Sequence, residues 1–368
     1  MRATPAWRIL TSAEADAWHA ALARLPRHDI YFTPEYHRPY ENDGATALAF
    51  VATAGEDLLF YPFLLRPIHR VGKSALPSGA ADIETVYGYG GPLASSDDPD
   101  FLRRSWRAFH DWCWETGVVA EFVRFHPLLA NHRLREMDEV DIQLDRQTVA
   151  LELQPDSERL WHGYPSRQRN MVRKARKEGL VCRQIASAEA LKRFPPLYHE
   201  TMRRCGADAF YFFSPEYFAS LVAELGDRVR FFAVLHRERT LAMAIILVHP
   251  PFLHYHLSCS APSPNLGATN LLLHTVAEWG GKNGCQWLHL GGGRTPRPDD
   301  SLLRFKASLS HHRFSFLVGK RIHDRAAYEA LCARWRNQYG PAPPPPYFLL
   351  YRLPIAAETN QGPRMIVR

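Results

Sequence analysis

The chain has 368 residues, 46% of them hydrophobic and 23% charged, a balance that excludes a mainly disordered or fibrous protein and a length that exceeds one ordinary hydrophobic core. Lys and Arg number 45 against 38 Asp and Glu, a net charge of +7 that favours anionic partners such as RNA, nucleotide-linked sugars or an anionic membrane surface. Six scattered cysteines lack zinc-knuckle spacing or the density of a disulfide scaffold. The longest apolar run, Leu241 to Val248, falls far short of the ~20 residues that cross a bilayer. Met1 to Leu10 lacks the apolar core of a secretion signal. A reduced, cytoplasmic protein with no transmembrane span is therefore expected.

Along the chain, Ser12 to Leu25 carries Ala, Leu and Trp at helical spacing. Ala47 to Thr53 and Asp57 to Leu65 read as a hairpin about Ala54-Gly55-Glu56. Asp100 to Thr116 places Phe101, Trp106, Phe109 and Trp112 on one helical stripe, and Val119 to Phe125 is the next strand. A second cycle begins near Thr148, with a strand at Val149 to Leu153, a basic helix from Ser157 to Glu178 and a strand at Leu180 to Gln184. Val229 to His236 and Thr240 to Val248 form another hairpin about Arg237-Glu238-Arg239, followed by a strand at Leu253 to Cys259. Asn270 to Gly280 reads as a helix, Trp287 to Leu290 as a short buried strand, and Gly291-Gly292-Gly293 as the loop that ends it. A helix ending near Gln338, a stiff connector at Pro341 to Pro346 and a last strand at Tyr347 to Leu353 close the chain. The tail after Ala356 reads as frayed. The whole is an α/β unit repeated at domain scale.

Four stretches carry chemistry. Between Ser166 and Lys177, Arg167, Arg169, Arg173, Lys174, Arg176 and Lys177 crowd about three helical turns. Such repulsion calls for open solvent or an anionic partner, and an apolar stripe of Met171, Val172 and Ala175 would dock the helix with its arginines facing a groove. After the triple glycine and the pair Asp299-Asp300, Lys306 sits among Leu302, Leu303, Phe305 and Leu309. There a lysine must snorkel, pair with a carboxylate or enter a polar cleft, where it could stabilise an oxyanion. Asp82 to Leu93 alternates aromatic residues with glycine, giving close backbone access beside Tyr87 and Tyr89. Cys205 to Phe213 carries an aromatic cluster that includes Tyr211. His254 with His256, which would share one face of a strand, and His311 with His312 are the nearest histidine pairs, but no third ligand accompanies them, so no metal is expected.

Taken together, Tyr-Gly-Tyr-Gly-Gly-Pro at 87 to 92, Arg-Phe-His-Pro-Leu at 124 to 128, the Arg-Gln-Arg-Asn-Met-Val-Arg-Lys-Ala helix at 167 to 175, Leu-Gly-Gly-Gly at 290 to 293 and Phe-Lys at 305 to 306 resemble the Fem family. These are peptidoglycan bridge-forming aminoacyltransferases within the acetyltransferase (GNAT) superfamily. The resemblance implies an α/β (α+β) protein of two tandem GNAT-like domains, each a mixed, mostly antiparallel sheet with flanking helices. The first domain would span residues 1–146, completed by about 314–368, and the second residues 147–313.

In that family an amino acid moves from aminoacyl-tRNA to an amine on a peptidoglycan precursor. By resemblance, Lys306 would assist at the scissile ester carbonyl, Arg169 and Arg173 would face phosphates, and Arg167, Tyr87, Tyr89, Tyr211 and Phe305 would line the substrate site. No Ser-His-Asp or Cys-His set supplies a nucleophile, so direct attack is the expected mechanism. No cofactor is expected beyond the aminoacyl-tRNA donor. The acceptor would be a cell-wall precursor or another amine-bearing small molecule, because Tyr31 to Tyr40 offers Glu35, His37 and Arg38 where bridge-forming members place basic residues. The long helical arm by which some members engage tRNA is missing from the pattern. Two other readings stand beside this one: an acyl-coenzyme A-dependent N-acyltransferase acting on a surface sugar or lipid, and a non-catalytic RNA- or polysaccharide-binding protein.

Overall fold

A computed structural model describes residues 5–77, 79–339 and 346–355. The chain divides into two compact units, Met1–Leu144 with Leu317–Arg368, and Asp145–Phe316. Each is built on a mostly antiparallel sheet with helices against it.

The first unit opens with β1 (Ala6–Thr11), helix α1 (Ala15–Ala23) and the short α2 (Pro34–His37), then the long hairpin β2 (Thr46–Ala54) and β3 (Asp57–Pro67). A two-stranded ribbon, β4 (Arg70–Val71) with β5 (Ser74–Ala75), precedes β6 (Ala81–Glu84); β7 (Leu93–Ala94) pairs with β3. Helix α3 (Pro99–Glu115) then crosses to β8 (Val118–Arg124). β1, β2, β3 and β6 pair antiparallel in that order, while β6 and β8 run parallel. Parallel neighbours need a long crossover, and α3 supplies it. Asp98 caps the helix, Pro99 occupies its first turn, and Phe101, Trp106, Phe109 and Trp112 bury one stripe on the sheet.

The second unit repeats this order. β9 (Asp141–Glu152) leads into α4 (Ser157–Gly163), α5 (Ser166–Lys177), β10 (Val181–Ile185), α6 (Ser187–Arg204) and α7 (Pro215–Leu225). The hairpin β11 (Val229–His236) and β12 (Arg239–His249) follows, turning through Arg237 and Glu238 at positive φ. Then come β13 (Phe252–Ser260), α8 (Ala268–Lys282), β14 (Trp287–Gly292) and α9 (Ser301–Ala307). Here too the crossover helix, α8, joins the parallel pair, β13 and β14. Its buried face of Leu271, Leu272, Val276 and Ala277 meets Phe232, Ala244, Ile246 and Leu288 in the unit's core.

Three expectations change. The basic helix is two helices, α4 and α5, broken at Tyr164-Pro165, because the residue before a proline avoids the helical region. β14 runs through Gly291 and Gly292 rather than ending before them. The returning chain forms β15 (Arg313–Ile322), which pairs antiparallel with β8, and α10 (Arg325–Tyr339), but Tyr347 to Leu353 makes no strand. It folds into a 3-10 turn at Leu350–Arg352, where Leu349, Leu350 and Tyr351 are buried in succession. Consecutive burial suits a turn over a core, since a strand sends neighbours to opposite faces. Arg352 fixes the turn on Asp82 at 2.8 Å and on the carbonyls of Arg66 and Pro67. Residues 341–345 and those after Ile355 lie outside the described residues.

Candidate active site

The second unit's glycine strand and the short helix after it place Lys306. β14 pairs antiparallel with β9, Trp287 opposite Glu152 and His289 opposite Ala150; the register then shifts so that Gly291 faces Val149 and Gly292 faces Thr148. A Cβ on Gly292 would lie 2.8 Å from Arg146 Cδ and 2.9 Å from the Gln147 carbonyl. Only glycine lets the chains approach so closely. Asp300 starts α9 by accepting from the amides of Leu302 and Leu303 at 2.9 and 3.0 Å, and also takes the amide and hydroxyl of Thr295. Burial pushes its carboxyl up, but these donors prevail and hold it below the ordinary range.

On this helix Phe305 packs partly buried against the unit's core, and Lys306 is 8% exposed. The lysine Nζ donates to the Gly292 carbonyl at 2.8 Å. Burial pushes its pKa down to about 7, Asp300 opposing the fall and Arg146 adding to it. Near neutral pH both the charged and the neutral amine are then populated. Arg146 pairs with Asp145 and donates to the Gly293 carbonyl at 2.9 Å. Arg294 ties the glycine strand to the loop after α6 through the Cys205 carbonyl at 3.3 Å, and to Ser301 at 3.2 Å. That loop carries Tyr211, partly buried, its ring against Phe210 and its carbonyl accepting from the Tyr198 hydroxyl at 2.8 Å.

Helix α5 buries Gln168, Val172 and Ala175; Gln168 and Asn270 of α8 exchange hydrogen bonds at 2.6 and 3.2 Å. Gln168 thus anchors the helix beside Val172 and Ala175, while Met171, expected in the docking stripe, is only partly buried. Arg167 and Arg173 are exposed, Arg173 lying 5.3 Å over the Trp161 ring and bonding Asn170. Arg169 turns back to the carbonyls of His162 and Tyr164 at the end of α4. Arg176 bonds His274 at 3.0 Å and Lys174 the Asn265 carbonyl at 2.7 Å. On the sheet, His254 and His289 face each other across β13 and β14 with ring centroids 5.5 Å apart. His256 is the extra residue of a bulge against β12, so simple alternation does not relate it to His254.

In the first unit the tyrosine-glycine segment is held from outside. Tyr36 donates its hydroxyl to the Tyr87 carbonyl at 2.8 Å, and Asn131 donates to the carbonyls of Gly90 and Pro92. Tyr89 packs edge-on against Tyr31 and His126. His126 binds Asp29 at 2.7 Å while the Leu129 amide donates to its Nδ1, which fixes the neutral tautomer. Arg124 pairs with Glu84 at 2.5 Å. Of the residues singled out nearby, Glu35 pairs with His19, Arg38 bonds the Ser12 carbonyl, and His37 is buried on the Thr33 carbonyl. Asp300 could be read from sequence as a cap ahead of Ser-Leu-Leu; nothing local marks Arg146 or Asn131.

Residues 166–306 match the family described as Acetyltransferase (GNAT) domain, and that span runs from the first residue of α5 to Lys306. Residues 166–306 carry a GNAT domain. Among solved structures it is similar to FemX, with 13% identity, 88% of this chain and 99% of that one covered, and a TM-score of 0.68. It is also similar to L-PGS from Bacillus licheniformis, at 12% identity, 87% and 96% coverage and a TM-score of 0.53. The C-terminal domain of a putative lysylphosphatidylglycerol synthetase from Agrobacterium fabrum follows at 11% identity, 86% and 94% coverage and a TM-score of 0.51. At such identities the likeness is one of fold. No curated protein matches the sequence. Among the described residues no helix is long and apolar enough to cross a membrane.

Proposed function

We propose that this chain is an acyltransferase that moves an aminoacyl group from aminoacyl-tRNA to an amine on a cell-wall precursor or another small molecule. The observation that carries the reading is Lys306, a buried amine held on a strand carbonyl at the end of the GNAT domain. The acceptor nitrogen attacks the ester carbonyl, the carbon–nitrogen bond forms, the ester carbon–oxygen bond breaks, and the amine's proton ends on the released ribose hydroxyl. Negative charge gathers on the carbonyl oxygen at the addition step. A charged Lys306 donates to that oxygen in a site where burial strengthens the interaction. Arg167 and Arg173, exposed on α5, meet phosphates of the donor or acceptor. Tyr211 and Phe305 border the acyl group.

The likeness to FemX and the Fem-like motifs support an aminoacyl donor. The neighbour named a putative lysylphosphatidylglycerol synthetase supports an amino-acid conjugate with a lipid as another outcome for the acceptor, at an anionic membrane surface. The matched family's description as an acetyltransferase supports a second reading, an acyl-coenzyme A donor. Labelled aminoacyl-tRNAs and labelled acyl-coenzyme A, each offered with a panel of acceptor amines including aminated precursors and glycerophospholipids, separate the two. Transfer from tRNA that RNase abolishes is expected. Label moving only from coenzyme A overturns the tRNA donor, and full turnover by Lys306→Ala overturns the role of the lysine.

A further inference from the structure

We propose that Arg146 is a positioning residue for acyl transfer, holding the Gly292–Gly293 carbonyls in place so that the Lys306 amine is presented at the reacting centre. This rests on the acyl-transfer reading above. The geometry is a clamp on two successive carbonyls: Lys306 Nζ donates to Gly292 at 2.8 Å and Arg146 Nη1 to Gly293 at 2.9 Å. The aliphatic part of Arg146 lies against the same backbone, its Cδ and Cγ 2.8 and 3.2 Å from where a Gly292 Cβ would stand. From the other side, Asp300 lies 2.5 Å from the position of a Gly293 Cβ. The two glycines therefore sit between Arg146 and the cap of the helix that carries Lys306, and neither could bear a side chain without displacing one of them.

The guanidinium also contributes to the charge around the lysine, after burial itself and Asp300. Asp300 at the helix cap and Arg146 act on Lys306 directly, while Arg304 on the helix itself, Asp145 paired with Arg146, Arg294 after the glycine strand and Arg313, which donates to the Ala307 carbonyl at 3.1 Å, are charged groups on the adjoining elements. Arg146 acts against the charged amine and Asp300 for it. A planar guanidinium suits the post because its fork donates to a carbonyl and a carboxylate at once.

The test uses the full chain with Arg146→Gln, which removes the charge but keeps length and a donor, and Arg146→Lys, which keeps the charge without the fork. Lys306 is labelled competitively with trace acetic anhydride from pH 6 to 10, and its peptide is read by mass spectrometry. Thermal melts check that each variant is folded. The labelling midpoint is expected near 7 in the parent, higher by on the order of one pH unit in Arg146→Gln and near the parent's in Arg146→Lys. With the active donor at pH 6, where the amine is mostly charged in parent and variant alike, kcat is expected to fall roughly tenfold or more in Arg146→Gln with KM little changed, as for a group that acts in the transition state. An unmoved midpoint overturns the proposal, and so does an unchanged kcat. If the parent transfers no acyl group from any donor, the functional reading fails, and the labelling still decides whether Arg146 governs the lysine.

Discussion

Replacing Lys306 by methionine should stabilise the protein at neutral and acidic pH while abolishing transfer. In the folded chain the amine is held at about 7 against an ordinary 10.5. Between those values the unfolded chain binds a proton that the folded chain does not, so stability rises as pH climbs through this window. Below about 7 the whole cost of burying the ammonium is present. At ~1.4 kcal/mol per pH unit the depression corresponds to about 5 kcal/mol. Methionine escapes that cost but leaves the Gly292 carbonyl without its donor, a loss of about 1.5–3 kcal/mol for a charged hydrogen bond. The balance is a gain of about 2–3 kcal/mol at pH 6, a rise in Tm of roughly 5–10 °C for a unit of this size. Near pH 10 the penalty has gone and the variant should be the less stable of the two. Thermal melts of parent and Lys306→Met from pH 6 to 10 measure the difference directly. A Tm difference that stays constant across this range, or a variant less stable at pH 6, refutes the account of a buried, depressed amine.

Three further outcomes follow from the packing. Gly267→Ala, at φ +79° and with its Cβ 2.6 Å from the Met171 carbonyl oxygen, should cost about 2 kcal/mol or more in urea unfolding, because strain and close approach act together. Arg169→Ala should lower stability by about 1 kcal/mol through loss of its bonds to the end of α4, and KM for the donor, measured alongside, should change little. In the first unit, Arg135→Met removes the guanidinium that holds buried Glu121 at 2.7 Å and leaves the carboxylate with the Tyr61 hydroxyl at 2.6 Å and His323 at 3.2 Å. Loss of this buried ion pair should cost about 3 kcal/mol, the low end for a broken buried pair because those two partners remain, seen as a lower urea midpoint.

Periodicity made much of the fold legible. The hairpins at β2–β3 and β11–β12, the stripes of α3 and α8, and the buried strands β8 and β13 were all readable from apolar spacing, because each buries one face against a core. The repeated order they form is the expected α/β arrangement, with mostly antiparallel sheets in both units. What was not readable has a common cause. β1, β6 and β15 are short or polar-patterned strands whose place depends on neighbours distant in sequence, and β6 lies inside a segment marked for its tyrosines and glycines. α6 contains Pro195 and Pro196 within the helix, a pair that argues against a helix locally and is overruled by the burial of Phe194 and Tyr198. The final strand failed because consecutive apolar residues look alike whether they enter a sheet or wrap over a core.

Lys306 shows the same division within the site. That a lysine among leucines and a phenylalanine needs a special environment follows from the sequence alone, yet the groups that create it lie far apart in the chain. Helix α9 has seven residues, too few to hold itself together in water. Its position depends on Asp300 at one end, on Arg313 reaching the Ala307 carbonyl at the other, and on Phe305 packing into the core. Asp300 is therefore both the cap that forms the helix and the counter-charge that opposes the fall of the lysine's pKa. A substitution there moves the amine and changes its charge together, so a loss of activity in Asp300→Asn could not be divided between the two. Arg146 touches the amine's environment without touching the helix cap, and it is the position from which charge and placement can be varied separately.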